Sequence, residues 1–182
     1  MFAKSLRQIT CMPFARRCFS TIKVGDTLPN AKVSVVKFGE NGFTSEQVET
    51  ATYFANKHVV LVGYPGAFTP TCMATHIPEY IANAAQIKKQ GADEVIAMSV
   101  NDPFVVTAFA EKLGGKSNIN FIADGNGAFT KALGLELDLS VAQLSVRGKR
   151  MSMVVKQNKV IEFNNEDSPK LTEVSACSTI LK

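Results

Sequence analysis

The sequence predicts one α/β domain in which a mixed central sheet is flanked by helices. Three observations favour this fold class. Short apolar runs rich in β-branched residues alternate with segments of helical periodicity through the middle of the chain. Two further β-rich runs, separated by a short polar turn, follow near the C-terminus. The 182 residues are 46% hydrophobic and contain no linker or repeat after residue 24, so they can bury one core.

The first 19 residues differ in charge from the rest of the chain. They contain four basic residues and no acidic one, and without them the chain has 16 basic and 16 acidic residues. Their apolar residues share one helical face, and Arg17 precedes Ser20 at a spacing that resembles a matrix-protease cleavage site. We therefore predict a transit peptide to the mitochondrial matrix at 1–19 and a working domain at 20–182. The alternative is a basic tail that carries no address.

Charge and hydropathy also indicate whether the chain binds nucleic acid or a membrane. The net charge of +4 resides in the predicted transit peptide, so it gives no reason to expect nucleic-acid binding. No apolar run approaches the roughly 20 residues of a membrane-spanning helix, and we predict no membrane partner. The two histidines and scattered thiols, without a CxxC pair, have no metal-ligand spacing.

Strands and helices are predicted to alternate from residue 59 onward. The continuous apolar run at 59–64 predicts a strand that is buried on both faces. Apolar residues then repeat at helical spacing over 77–87 until Gly91 ends the pattern, and 94–100 predicts the next strand. An Asn-Asp-Pro sequence offers a cap and a first-turn proline for a helix over about 102–113.

Shorter elements complete the predicted domain. They are a strand at 120–123, a short helix at 127–133, a hairpin of 151–155 and 160–163 that turns at 157–158, and a closing helix at 171–181. This order is that of a thioredoxin-like fold that carries extra N-terminal strands.

Cys72 is the residue with the clearest potential for chemistry. It follows the strand at 59–64 and the Pro65-Gly66 turn, so it falls in the first turn of the next helix. The partial positive charge and unpaired N–H groups of a helix N-terminus favour the thiolate over the thiol. Thr69, three residues earlier, could aim its hydroxyl at the sulfur or at an oxygen bound to it. The alternative is that Cys72 is a small buried hydrophobic residue.

The segment YPGAFTPTCMATH at 64–76 resembles the peroxidatic-cysteine motif P-x-x-x-T-x-x-C of the peroxiredoxins. Its form is that of the type II, peroxiredoxin-5-like subfamily, and further matches at 99–104, 123–129 and 147–150 extend the resemblance over 22–182. The resemblance implies a thiol-dependent peroxidase for hydrogen peroxide and organic hydroperoxides that has no cofactor. It also implies a homodimer, since the family often forms dimers.

The resemblance also assigns roles to individual residues. Cys72 would be the nucleophile that becomes a sulfenic acid, and Thr69 would hydrogen-bond the sulfur and the peroxide. Arg150 would stabilise the thiolate and the charge on the leaving oxygen. The residues assigned to substrate binding are Pro65, which would shield the pocket, Gly66, and Thr71, whose N–H would hold the peroxide together with that of Cys72.

Two neighbouring residues offer competing interpretations. Arg147 lies only three residues before Arg150, but the spacing to the following strand favours Arg150, with Arg147 as a supporting or surface residue. His76 lies four residues after Cys72 on the same helix face. It would be the base of a Cys–His hydrolase or a structural histidine, and we favour the structural interpretation.

The sequence departs from the family pattern in the residue that would recycle Cys72. Plant type II members carry a second cysteine where Ala97 stands, and animal members carry one after a Leu-Thr pair, where Glu173 stands. Cys177 is a candidate resolving cysteine only if the closing helix unfolds, and a packed or surface thiol is the favoured alternative. We therefore expect a one-cysteine mechanism that uses glutathione with glutaredoxin, or thioredoxin, as the reductant. The alternative function is a peroxide-sensing redox relay.

Overall fold

The computed structural model describes residues 21–39, 42–114, 118–166, 168–171 and 173–181. The predicted transit peptide at 1–19 lies outside these residues, and it stays a prediction. Within the described ranges, no helix has both the length and the apolar character needed to cross a membrane.

In the described residues, nine strands form two sheets. They are β1 Lys32–Gly39, β2 Gly42–Glu49, β3 His58–Gly63, β4 Glu94–Ser99, β5 Asn120–Ala123, β6 Glu136–Asp138, β7 Val146–Gly148, β8 Met151–Lys156 and β9 Lys159–Asn165. The main sheet has the order β2-β1-β5-β4-β3-β8-β9, and β6 pairs with β7 separately. Strands β3, β4 and β5 run parallel, whereas the outer pairs are antiparallel. The predicted mixed sheet is thus confirmed, and β1 and β2 are the extra N-terminal strands.

Within the part of the chain that the structure describes, five α-helices accompany the sheets: α1 Thr50–Tyr53, α2 Ile77–Lys89, α3 Pro103–Lys112, α4 Ala128–Ala132 and α5 Cys177–Ile180. The sheet buries apolar side chains on both faces. In β3, Val60 and Val62 pack into the cluster that contains side chains of α2, α3 and α5, while Val59 and Leu61 pack into the cluster on the opposite face. Because successive strand residues point to opposite faces, one continuous apolar run supplies both cores.

Helix α3 begins where the sequence predicts. The Asp102 carboxylate accepts hydrogen bonds from the backbone N–H groups of Phe104, at 2.9 Å, and Val105, at 3.0 Å. Pro103 follows in the first turn, where its missing N–H costs nothing. This cap fixes the loop between β4 and α3, which lies beside the candidate site.

The predicted closing helix at 171–181 is wrong in its length. In the described part of this segment, the helix is only Cys177–Ile180. The Glu166 carboxylate accepts hydrogen bonds from both the backbone N–H and the hydroxyl of Ser175, at 3.1 and 2.8 Å. A side chain that captures a backbone donor in this way competes with helix formation, so the helix starts only after Ala176, whose backbone is extended.

Candidate active site

Cys72 begins a π-helical turn, Cys72–His76, which leads into α2. No pattern in the sequence predicts this wider turn, a feature that occurs frequently at functional sites. The Cys72 side chain is fully buried. Both terminal nitrogens of Arg150, Nη1 and Nη2, lie 3.5 Å from its Sγ atom. A cation buried beside a sulfur favours the thiolate electrostatically, in addition to the effect of the helix start.

Strand pairing brings Arg150 to Cys72. Gly63 at the end of β3 pairs with Met151 at the start of β8, so the residues that follow β3 meet the residue that precedes β8. The approach is close: a Cβ atom at Gly63 would lie 2.9 Å from Cγ of Met151 and 3.0 Å from the backbone oxygen of Lys149. A glycine is therefore needed at this crossing point.

The guanidinium of Arg150 is held on its other sides as well. Nε and Nη2 donate to the carbonyl oxygen of Pro169, at 3.3 and 2.9 Å. Nη1 donates to Nδ1 of His76 at 3.0 Å. Because the arginine fork is planar, these acceptors fix the direction in which its terminal nitrogens face Cys72.

His76 is neutral in this environment. Burial and the nearby Arg150 cation lower its pKa from 6.5 to about 4, although the Ser175 carbonyl and the Glu166 charge act in the opposite direction. Its Nδ1 lone pair already accepts from Arg150. The ring is therefore not placed as a base for Cys72, in agreement with the structural interpretation and against a Cys–His hydrolase.

The Thr69 hydroxyl differs from the expectation. It donates its proton to the carbonyl oxygen of Gly66 at 2.9 Å, and among the described residues it makes no hydrogen bond to Cys72. The reason is the tight loop at 65–69, in which Phe68 takes a left-handed conformation with φ 61°. The lone pairs of the Thr69 oxygen can still accept a hydrogen bond from a peroxide.

Asn101, which the sequence did not single out, and Arg147 brace the loops at the edge of the site. Asn101 accepts a hydrogen bond from the backbone N–H of Ala67 at 3.0 Å. Arg147 donates to the carbonyl oxygens of Val100, at 3.0 Å, and Leu144, at 2.7 Å. Arg147 thus joins two loops at the edge of the site, whereas Arg150 contacts the sulfur. Asn101 follows directly after a predicted strand, and this position was the available signal for it.

Cys177 lies in the same apolar cluster as Cys72 but on α5. Burial, with the charge of Glu79, raises the pKa of its thiol to about 11, while the Asn83 side chain acts to lower it. Among the described residues both cysteines are buried, free thiols. A disulfide between them would need their Cα atoms within about 7 Å.

The sequence contains no spacing of residues that is typical of a metal site. In the ranges that the structure describes, no three His, Cys, Asp or Glu side chains are grouped so that they could hold a metal ion.

Comparison with known proteins identifies the family. The redoxin family model matches residues 23–181. Peroxiredoxin-2C of Oryza sativa is 43% identical over 161 residues, which cover 88% of this chain and 97% of that protein. The mitochondrial peroxiredoxin-2F of Arabidopsis thaliana is 37% identical over 171 residues, which cover 91% of this chain and 85% of that protein. The chain belongs to the type II peroxiredoxins.

Solved structures agree with this identification. Reduced Prx3 of Vibrio vulnificus in complex with hydrogen peroxide is 40% identical to this peroxiredoxin, with a TM-score of 0.77 and coverage of 88% of this chain and 98% of that chain. The antioxidant protein of Plasmodium falciparum, a 1-Cys peroxiredoxin, is 28% identical, with a TM-score of 0.78 and coverage of 87% and 96%. This peroxiredoxin is a thiol peroxidase with a thioredoxin-like fold.

Proposed function

We propose that this peroxiredoxin reduces hydrogen peroxide and organic hydroperoxides at Cys72. The thiolate attacks the terminal peroxide oxygen, an S–O bond forms and the O–O bond breaks. Sulfur is oxidised to the sulfenic acid, and the leaving oxygen takes up a proton to become water or an alcohol. The observation that supports this assignment most strongly is the Arg150 guanidinium at 3.5 Å from the sulfur, because it can stabilise both the thiolate and the charge on the leaving oxygen.

The loop before Cys72 is the proposed binding site for the peroxide. Pro65 and Gly66 are buried, so they can keep bulk water from the sulfur. Thr71 and Cys72 lie in the first helical turn, where N–H groups without helical acceptors can hold the peroxide oxygens. The Thr69 oxygen would accept from the peroxide hydroxyl. A Cβ atom at Gly66 would lie 3.3 Å from the Thr69 methyl group, so a larger residue would press on that side chain.

We propose a one-cysteine cycle in which an external thiol reduces Cys72. Glutathione with glutaredoxin, or thioredoxin, attacks the sulfenic sulfur; a mixed disulfide forms, water leaves, and a second thiol then releases Cys72. The raised pKa of Cys177 argues against it as the resolving thiol, because the thiolate is the attacking form. Because Cys72 is fully buried, the reductant can reach it only after a local opening of the site.

Peroxide consumption with each reductant system tests these proposals. Wild type should turn over many equivalents, Cys72→Ser none, and Cys177→Ser, the matched thiol control, should retain turnover. Arg150→Met should lower the rate about 10²-fold or more, as expected when a donor to a developing charge is removed. Turnover by Cys72→Ser would refute the proposed nucleophile, and loss of turnover in Cys177→Ser would refute the one-cysteine cycle. A protein that oxidises a partner but consumes only one equivalent would instead be a redox relay.

We also propose a mitochondrial matrix address. The similarity to mitochondrial peroxiredoxin-2F proteins supports it, although chloroplastic relatives match as well. Fusion of residues 1–20 to a fluorescent protein should direct it to mitochondria, and the intact mass of the mature enzyme should correspond to a start near Ser20. Cytosolic fluorescence would contradict the address.

A homodimer is the proposed assembly. Apolar side chains near the site support it: Phe104 at the start of α3 is 84% exposed, and Phe68, which packs on Phe109 of the same helix, is 46% exposed. Exposed aromatic side chains in one region are typical of an interface. Sedimentation should show a dimer for wild type and a shift toward monomer for Phe104→Glu, whereas a monomeric wild type would refute the assembly.

A further inference from the structure

A closed ring of hydrogen bonds lies behind the candidate site. Nη1 of Arg150 donates to Nδ1 of His76 at 3.0 Å, and Nε2 of His76 lies 3.3 Å from the Ser175 carbonyl oxygen. The Ser175 backbone N–H and hydroxyl donate to the Glu166 carboxylate, and the Glu166 backbone N–H donates to the Arg150 carbonyl oxygen at 2.9 Å. These hydrogen bonds join the π-helical turn before α2, the residue before β8 and the C-terminal segment. All four residues are buried.

The chemistry of the ring fixes the tautomer of His76. A guanidinium has donors only, so Nδ1 of His76 must accept, and the imidazole proton must reside on Nε2. That proton points to the Ser175 carbonyl oxygen, which also accepts from the Tyr80 hydroxyl at 2.9 Å. With the other tautomer, an N–H group would face the Arg150 cation. The Glu166 carboxylate holds Ser175 in place, so it acts on the imidazole through that residue.

We propose that His76 is a positioning residue for Arg150, and that Glu166 and Ser175 keep it in the tautomer this role requires. The Pro169 carbonyl accepts from Nε and Nη2, whereas Nη1, which faces the Cys72 sulfur at 3.5 Å, has Nδ1 of His76 as its other acceptor at 3.0 Å. Without that acceptor, the guanidinium group can rotate about the side-chain bond that carries it, and its terminal nitrogens then move away from the Cys72 sulfur. This inference rests on the proposed function, because it assigns a task to Arg150 at the reacting sulfur.

Two substitutions of His76 separate positioning from packing. His76→Asn keeps an acceptor oxygen near the place of Nδ1, whereas His76→Gln reaches toward Ser175 and withdraws the acceptor from Arg150. We expect the second-order rate constant of Cys72 with hydrogen peroxide to fall about tenfold for His76→Gln and much less for His76→Asn, in the range known for residues that orient a reacting group. His58→Gln, at the other histidine, is the matched control.

Quenched-flow oxidation with mass-spectrometric detection of Cys72 gives this rate, since the chain has no tryptophan to report it. The same substitution is then made in Arg150→Met. If His76 acts through Arg150, His76→Gln should change the rate less than about twofold in that background, because coupled residues are not additive. A purely structural role would cost the same factor in both backgrounds.

A second pair of variants tests the remote end of the ring. Glu166→Gln retains an oxygen that can accept from Ser175, whereas Glu166→Ala does not, so only Glu166→Ala should slow oxidation of Cys72. This pair also serves if His76→Gln fails to fold, which thermal unfolding of each variant will show. Equal rates for Gln and Ala at position 166, equal losses for Asn and Gln at position 76, or additive effects with Arg150→Met would overturn the inference. Failure of the proposed function is distinct, because Cys72 would then not be oxidised in the wild type either.

Discussion

Acidification should lower the free energy of unfolding, because His76 becomes protonated more readily in the unfolded chain. The imidazole is fully buried and lies 3.0 Å from the Arg150 guanidinium. Burial first, and the Arg150 charge second, lower its pKa from 6.5 to about 4, against the opposing effect of Ser175 and Glu166. The side chain of Tyr80 also packs on the imidazole, at 5.6 Å between ring centroids. The experiment compares the protein at pH 7 and at pH 5.

The sign and size of the change in the free energy of unfolding follow from proton linkage. The folded-state pKa lies below the unfolded value, so between pH 6.5 and 4 the unfolded chain binds the additional proton. The contribution of His76 is therefore fully present above pH 6.5 and is lost as the pH falls toward 4. A shift of this size corresponds to about 3 kcal/mol over the whole window, of which about 2 kcal/mol is lost by pH 5.

Urea unfolding followed by circular dichroism measures this contribution. The free energy of unfolding is determined at pH 7 and pH 5 for wild type and His76→Asn, so that the other titrating groups cancel in the difference. Wild type should lose about 2 kcal/mol more than His76→Asn. His58→Asn controls for the loss of a histidine elsewhere in the chain, and it should behave as the wild type does. If wild type and His76→Asn lose the same free energy, the imidazole does not titrate as the structure requires.

Three further substitutions test the fold around the site by urea unfolding. Asp102→Ala removes the acceptor for two backbone N–H groups of α3 and should cost about 1 kcal/mol. Phe109→Ala empties a fully buried position that contacts three aromatic rings and should cost about 3–5 kcal/mol. Gly63→Ala places a methyl group 2.9 Å from Met151, so it should cost about 1–3 kcal/mol and also slow peroxide reduction, because it displaces the strand start that carries Arg150. A stable, fully active Gly63→Ala would contradict the close approach.

The sequence predicted the elements whose signals are local. The run at 59–64 indicated a strand buried on both faces, and its alternate residues do enter two separate clusters. The hairpin turns at Gln157 and Asn158, as predicted, and both residues have positive φ, which matches the twist of the flanking strands. In each case the element is determined by a few consecutive residues, so the hydrophobic pattern and the turn residues are enough to predict it.

The errors concern hydrogen bonds whose acceptors are not indicated by any periodic pattern in the sequence. The closing helix was predicted from periodicity at 171–181, but the Glu166 carboxylate takes the donors of Ser175, and no local pattern indicates that capture. The Thr69 hydroxyl was expected at the sulfur, but the backbone of Phe68 turns it toward Gly66. Propensity gives no information about either competing acceptor.

The electrostatic origin of the site also depends on tertiary placement. From the sequence, the helix start alone favoured the Cys72 thiolate. The structure adds a guanidinium from 78 residues away, and its described acceptors are the Pro169 carbonyl, the neutral His76 ring and the sulfur. Of these acceptors, only the sulfur can carry a negative charge. Because burying a cation among neutral groups is unfavourable, the sulfur is the acceptor on which the charge of Arg150 can act, and whatever fixes the position of Arg150 supports the chemistry of Cys72.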